Sequence, residues 1–299
     1  MSGGFIKNLF DEFNKEEIRY CIRGRYKHLP EKIDGGDIDI LIIKEDFYKV
    51  LKLIKDKGFV FYPFTHPNLF YYYYDKNLGM IHLDIMLARS FPKVKKHKNF
   101  YIPYNQETIP NKKSIGEKIY TGIRRRIYYL FRGRIICFEG PDGSGKSTYA
   151  KALYESLRRY GLKKEIIHFA TPFTNGKEPS ALKRFYTRTY SILRAYKNKM
   201  LGRITITDRY IYLTFRKHHS FLREILLFLA PKPNIVFVMR ASPQTIRKRK
   251  KGQRDRLSID SIKELYELYD AIPNAKIIDT EKPIKENLYY VVNEVLRRI

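Results

Sequence analysis

Gly140-Pro-Asp142-Gly143-Ser144-Gly145-Lys146-Ser147-Thr148 places a lysine and two hydroxyls directly behind a glycine-rich stretch. The spacing Gly140-x4-Gly145-Lys146-Ser147 suits one chemistry, the grip of a nucleotide's phosphates. Glycines let the backbone curl so that successive N–H groups point at phosphate oxygens. A helix opening behind the loop adds partial positive charge. In such a cradle Lys146 reaches the β- and γ-phosphates and the Ser147 hydroxyl binds Mg²⁺. Gly140, Asp142, Gly143, Ser144, Gly145 and Thr148 complete the expected nucleotide site, and ATP and Mg²⁺ are the expected cofactors.

Two further groups suit the same chemistry. Asp208 ends the apolar run Ile204-Thr-Ile-Thr, where a strand end beside a phosphate loop needs an anion for Mg²⁺ or its waters. Arg209 follows and can hold an acceptor phosphate bidentately. Later, Arg247-Lys-Arg249-Lys-Lys-Gly-Gln-Arg254-Asp-Arg256 offers the cations that phosphoryl transfer needs around the equatorial oxygens. Lys146, Asp208, Arg249 and Arg254 are the expected catalytic set.

The first half carries a different pattern. Arg23-Gly24-Arg25 precedes Gly35-Gly36-Asp37-Ile38-Asp39, and strand alternation puts Asp37 and Asp39 on one face. Paired carboxylates of this kind bind divalent metal, and Asp84 offers a third ligand from another strand. Lys93, Lys95, Lys96, His97 and Lys98 form a basic run, Arg124–Arg126 another, and Tyr71–Tyr74 could stack bases.

The elements that must position these groups follow from periodicity. Residues 134–139, 165–170, 203–208, 234–239 and 275–279 read as strands alternating with helices, the first of them spanning Ser147–Tyr160. That alternation predicts an α/β domain with a parallel sheet covered on both faces. Strands near 18–24, 37–43, 59–64, 69–74 and 80–87, with a helix at 45–57, predict a smaller α+β domain with a mixed or antiparallel sheet. Ile119, Ile123, Ile127 and Leu130 fall at helical spacing. The expected domains are therefore 1–118, a connector helix at 119–133, and 134–299.

The 299 residues suit about two domains. A net charge of +28 favours anionic partners, which leaves nucleic acid or another polyanion open beside a small phosphorylated acceptor. A homodimer is also left open. Cys21 and Cys137 lie in apolar runs and suggest no disulfide framework, and together with the absence of a signal pattern or membrane-length apolar run this fits the cytoplasm.

From Phe138-Glu139-Gly140 through Ser147-Thr148, Asp208-Arg209-Tyr210 and the arginine-rich stretch, residues 134–299 resemble the thymidylate kinase branch of P-loop nucleoside monophosphate kinases. The resemblance implies a five-stranded parallel sheet, an arginine-bearing lid over ATP and an acceptor phosphate on Arg209. Ser144 stands where one subclass has arginine, so the catalytic arginine is expected from the lid, at Arg249 or Arg254. The family's Arg-Glu-Pro motif is absent from Thr171–Asn175, and its pattern after Asp208-Arg209-Tyr210 is replaced by Ile211-Tyr-Leu-Thr-Phe. Arg188 and Arg194 are candidate substitutes as acceptor contacts. The Asp-x-Asp strand with Asp84 resembles the nucleotidyltransferase superfamily, with Gly24-Arg25 in place of that family's Gly-Ser. The leading expectation is an ATP- and Mg²⁺-dependent phosphotransferase acting on a nucleoside monophosphate or related anionic acceptor. A kinase of nucleic-acid ends or of sugars, and a non-enzymatic ATP-switched binding protein, are the alternatives.

Overall fold

A computed structural model describes residues 4–24, 26–33, 37–62, 69–104, 130–160, 162–169, 180–210, 228–250 and 257–299, with isolated positions 119, 123, 127 and 225. The chain divides into two compact units, Met1–Arg125 and Arg126–Ile299. The division falls inside the connector expected at 119–133, most of which lies outside the described residues.

The first unit opens with α1 (Gly4–Lys15), followed by β1 (Tyr20–Arg23), β2 (Asp37–Ile43), α2 (Phe47–Asp56), β3 (Val60–Tyr62), β4 (Leu69–Asp75) and β5 (Gly79–Ala88). The five strands form one sheet in the order β1-β2-β5-β4-β3. Only the β2–β5 pair is parallel, so the sheet is mixed. Alternation sends Ile38, Ile40, Ile42, Ile81, Leu83 and Ile85 to one face, where Ile6, Leu9, Phe10 and Phe13 of α1 and Val50 and Ile54 of α2 close the core. The other face carries Arg23, Asp37, Asp39, His82 and Asp84. A hairpin of β6 (Val94–His97) and β7 (Phe100–Pro103) follows, in the segment whose lysines suggested a polyanion surface. Lys98 there is committed locally, donating to the Leu29 carbonyl and to Glu31 at 2.8 Å each.

The second unit matches the expected alternation. Its strands are β8 (Arg134–Glu139), β9 (Lys164–His168), β10 (Ile204–Asp208), β11 (Ile235–Arg240) and β12 (Lys276–Asp279). They make a five-stranded, all-parallel sheet in the order β12-β11-β8-β10-β9. The helices are α3 (Lys146–Ser156), α4 (Ala181–Met200), α5 (Pro243–Arg249), α6 (Ile259–Asp270) and α7 (Ile284–Leu296). Ile135 and Cys137 of β8 face a core built with Ile192 and Ala195 of α4 and Ile262, Tyr266 and Tyr269 of α6. The alternate residue Phe138 stacks on Phe237 at 5.4 Å. Strand β8 is central and hydrogen-bonds β10 on one side and β11 on the other. Where a strand order reverses in a parallel sheet, the strand ends leave a crevice for ligands. The phosphate loop sits there.

Candidate active site

The loop leaves β8 at Gly140. A β-carbon on Gly140 would lie 2.6 Å from the Met239 carbonyl oxygen and from the Ser144 hydroxyl, so only glycine lets the chain turn this closely past β11. Gly145 caps α3 with φ +97°, a left-handed conformation that favours glycine and aims the helix N-terminus at the cavity. Asp142, Gly143, Gly145, Lys146, Ser147 and Thr148 line a cavity of about 560 Å³, joined by His168, Asp208, Arg209, Arg249 and Thr280. Gly140 and Ser144 do not line it. They form the underside of the loop, with Ser144 fully buried and its N–H turned back to the Pro141 carbonyl at 3.1 Å.

Lys146 is nearly enclosed, donating to the Pro141 carbonyl at 2.8 Å and lying 3.7 Å from Asp142. Burial pushes its pKa down to about 8, against the opposing pull of Asp208 and Glu139. The Ser147 hydroxyl donates to the Asp208 carboxylate. A hydroxyl and a buried carboxylate meeting beside a phosphate cradle are hard oxygen donors that fit Mg²⁺. His168, opposite Asp208 in the β9–β10 ladder, brings Nδ1 to 3.4 Å from the same carboxylate.

Arg209 has φ +67°, where a non-glycine residue costs roughly 1–2 kcal/mol. Two hydrogen bonds on its flanks, each worth about 1 kcal/mol net, offset that strain. Its own N–H donates to the Phe138 carbonyl at 2.9 Å, and the next N–H, of Tyr210, donates to Glu139 Oε1 at 2.7 Å. The guanidinium is thereby aimed at the loop, where it pairs with Asp142. Glu139 is 1% exposed, and burial pushes its pKa up to about 7.

Arg249, at the end of α5, reaches back over the loop to the Gly143 carbonyl at 3.3 Å and to the Thr280 carbonyl at 2.9 Å and hydroxyl at 3.2 Å. Of the two expected lid arginines it is the one seen at the cavity; Arg254 lies outside the described residues.

Other candidate residues of the sequence have different surroundings from those expected. Arg194 pairs with Glu165, and Asn198 holds the other carboxylate oxygen at 2.5 Å. Glu165 sits opposite Thr205, three residues back from the Asp208 end of the ladder, roughly 10 Å from the cavity side at a strand's rise per residue. Arg194 therefore buttresses the far end of β9. Arg188, half-buried on α4, does not line the cavity either. In the first unit Asp39 does lie opposite Asp84, and Asp37 opposite His82. Yet among the described residues no group of three His, Cys, Asp or Glu side chains is placed to hold a metal ion. Asp39 instead shares a hydrogen bond with Asp84 and faces Arg23, while Asp37 at the strand start is exposed. Burial is the main influence raising the Asp39 pKa. Of the expected stacking run Tyr71–Tyr74, Tyr71, Tyr72 and Tyr73 are buried and Tyr74 is half-buried. Arg124–Arg126 lie outside the described residues, and no helix among those described is long and apolar enough to cross a membrane.

Sequence reasoning did not single out His168, Thr280 or Glu139. The signal for Glu139 was present: a charged residue closing the apolar run Ile135-Ile-Cys-Phe138 must find partners when buried.

Residues 138–289 match the family model described as thymidylate kinase. A probable thymidylate kinase from Sulfolobus acidocaldarius is 30% identical over 179 residues, which span 51% of this chain and 91% of that relative. A thymidylate kinase from Desulfotalea psychrophila is 30% identical over 141 residues, 39% of this chain and 68% of the relative. A solved structure of thymidylate kinase from Candida albicans is 21% identical, covers 55% of this chain and 91% of its own, and superposes with a TM-score of 0.42.

Proposed function

Since the chain belongs to the thymidylate kinase family and is a P-loop nucleotide kinase, we propose that it transfers the γ-phosphoryl group of ATP to the phosphate of a nucleoside monophosphate, or of a closely related acceptor, held by Arg209. The observation that carries this reading is the convergence of Lys146, Ser147, Asp208 and Arg209 on one cavity, with the acceptor arginine at the rim of the donor's loop. A catalyst of this reaction has little covalent chemistry to do; it positions two anions and neutralises the charge between them.

Each side chain has a place in that task. Lys146 and the N-terminus of α3 hold the β- and γ-phosphates. Ser147 and Asp208 would hold Mg²⁺, which when bound would draw charge from the phosphate oxygens. Arg249 adds positive charge over the loop. Arg209 exchanges Asp142 for the acceptor's phosphate and holds it in line. The acceptor's phosphate is already ionised at neutral pH, so this route needs no strong base.

The test is ADP release from ATP and Mg²⁺ with each nucleoside monophosphate in turn, using Lys146→Ala as the control. Acceptor-dependent release that vanishes in the control supports the reading. Release that no nucleoside monophosphate stimulates would sink it.

A further inference from the structure

We infer that Glu139 is the positioning residue that fixes Arg209 in the orientation needed to receive the acceptor phosphate. The assignment of that phosphate to Arg209 rests on the kinase reading above. The positioning itself rests on geometry alone.

Arg209 lies between an ordered strand and an ordered aromatic. Before it, Asp208 is locked in the β8–β10 ladder. After it, the Tyr210 ring packs on Phe169 at 4.8 Å and its hydroxyl donates to the Pro231 carbonyl. Between these anchors the chain passes through φ +67°, and a left-handed arginine must be held from both sides. The Phe138 carbonyl takes the N–H on one side; the Glu139 carboxylate takes the N–H on the other. Both acceptors come from consecutive residues of β8, so one strand sets the whole turn. Without Glu139 the buried Tyr210 N–H would lose its partner, and the turn could relax to an ordinary negative φ. The guanidinium would then leave the cavity rim.

Glu139 touches no cavity-lining surface of its own, since it is 1% exposed. It acts through Arg209 and faces, besides Arg209, the Cys137 thiol at 3.7 Å, the Lys146 ammonium and the Tyr269 hydroxyl of α6. Because Lys146 is among these neighbours, loss of the charge and loss of the hydrogen-bond acceptor must be separated. Glu139→Gln removes the charge and keeps an oxygen at the same reach. Glu139→Ala removes both. Glu139→Asp keeps the charge but is one methylene too short to meet the Tyr210 N–H, and it replaces the alanine variant if that one fails to fold.

Steady-state kinetics with thymidine monophosphate as the acceptor probe and crystal structures of the variants together decide the matter. Glu139→Ala, or Glu139→Asp, is expected to raise the acceptor KM about tenfold, the scale of one hydrogen bond, with a much smaller change in the KM for ATP. Glu139→Gln is expected to restore the acceptor KM. In an Arg209→Ala background the loss of Glu139 is expected to add nothing further, because the two act in series. In the crystals Arg209 keeps its left-handed φ in the glutamine variant and abandons it in the alanine or aspartate variant. Arg209 unmoved in the alanine or aspartate variant, or effects of the two residues that simply add, would overturn the inference. If thymidine monophosphate is no acceptor for the wild-type protein, the acceptor assignment fails, and the crystal structures still decide the role of Glu139.

Discussion

Asp142 and Arg209, 67 residues apart in the chain, form an ion pair at the rim of the phosphate loop. The loop's own carboxylate thus occupies the arginine to which the proposed function assigns the acceptor phosphate. Exchange of one anion for another keeps the arginine partnered throughout and avoids the cost of a bare cation near Lys146. Arg209→Ala should therefore weaken the acceptor side selectively. We expect the acceptor KM to rise roughly 10- to 100-fold, the worth of a charge-assisted bond, with the KM for ATP nearly unchanged. Equal losses on both substrates would show that Arg209 serves the donor instead.

Lys146→Ala should abolish turnover without harming the fold. The ammonium is buried at a cost that lowers its pKa to about 8, so its removal relieves desolvation at neutral pH. We expect kcat to fall on the order of 10³-fold or more, and the melting temperature at pH 7 to stay level or rise. Wild-type turnover in this variant would dismiss the loop as the donor site.

Arg249 spans two segments, the loop at Gly143 and the strand end at Thr280. A lysine cannot reproduce that forked contact. Both Arg249→Lys and Arg249→Ala should lower kcat, the alanine variant on the order of 10³-fold, with smaller effects on nucleotide affinity. The measurement is single-turnover phosphoryl transfer beside nucleotide binding. Unchanged rates in both variants would reduce Arg249 to a surface residue.

His82 supplies a pH signature for the first unit. Its ring is stacked at 4.5 Å on Tyr72 and meets Phe70 edge-on at 4.6 Å, and burial lowers its pKa to about 4. The unfolded chain, with an ordinary imidazole near pH 6.5, binds the proton that the folded chain refuses. Stability from this residue is present above that value and is lost as pH falls toward 4. Thermal melts of wild type and His82→Leu between pH 7 and pH 4 should converge in slope only above about pH 6.5, with the variant losing less on the acid side. Parallel curves throughout would refute the assignment.

The loop and its cavity were legible because their physics is local. Gly140, Gly145, Lys146 and Ser147 lie within eight consecutive residues, and Asp208 announces itself by ending an apolar strand. The parallel sheet was legible for the same reason, since its strands are short apolar runs between helices. Helix α1 escaped notice although Ile6, Leu9, Phe10 and Phe13 repeat at helical spacing, because Gly3-Gly4 at its start reads as a helix-breaking pair. The ion pair of Arg194 was not legible because its partner, Glu165, is 29 residues away, on a strand whose register no local pattern discloses. The carboxylates of the first unit were placed on the correct face. Whether facing carboxylates bind a cation or share a proton depends on distances that alternation does not set.

Strand β8 gives three successive residues to two parts of one cavity: the Phe138 carbonyl and the Glu139 carboxylate hold the turn at Arg209, and Gly140 opens the phosphate loop. A slip of one residue would turn Glu139 to the opposite face and unseat both at once. A substitution in this strand therefore disturbs the turn at Arg209 and the phosphate loop together. Thr171–Asn175 and Ile211–Phe215 follow β9 and Tyr210 in the chain and lie outside that double constraint.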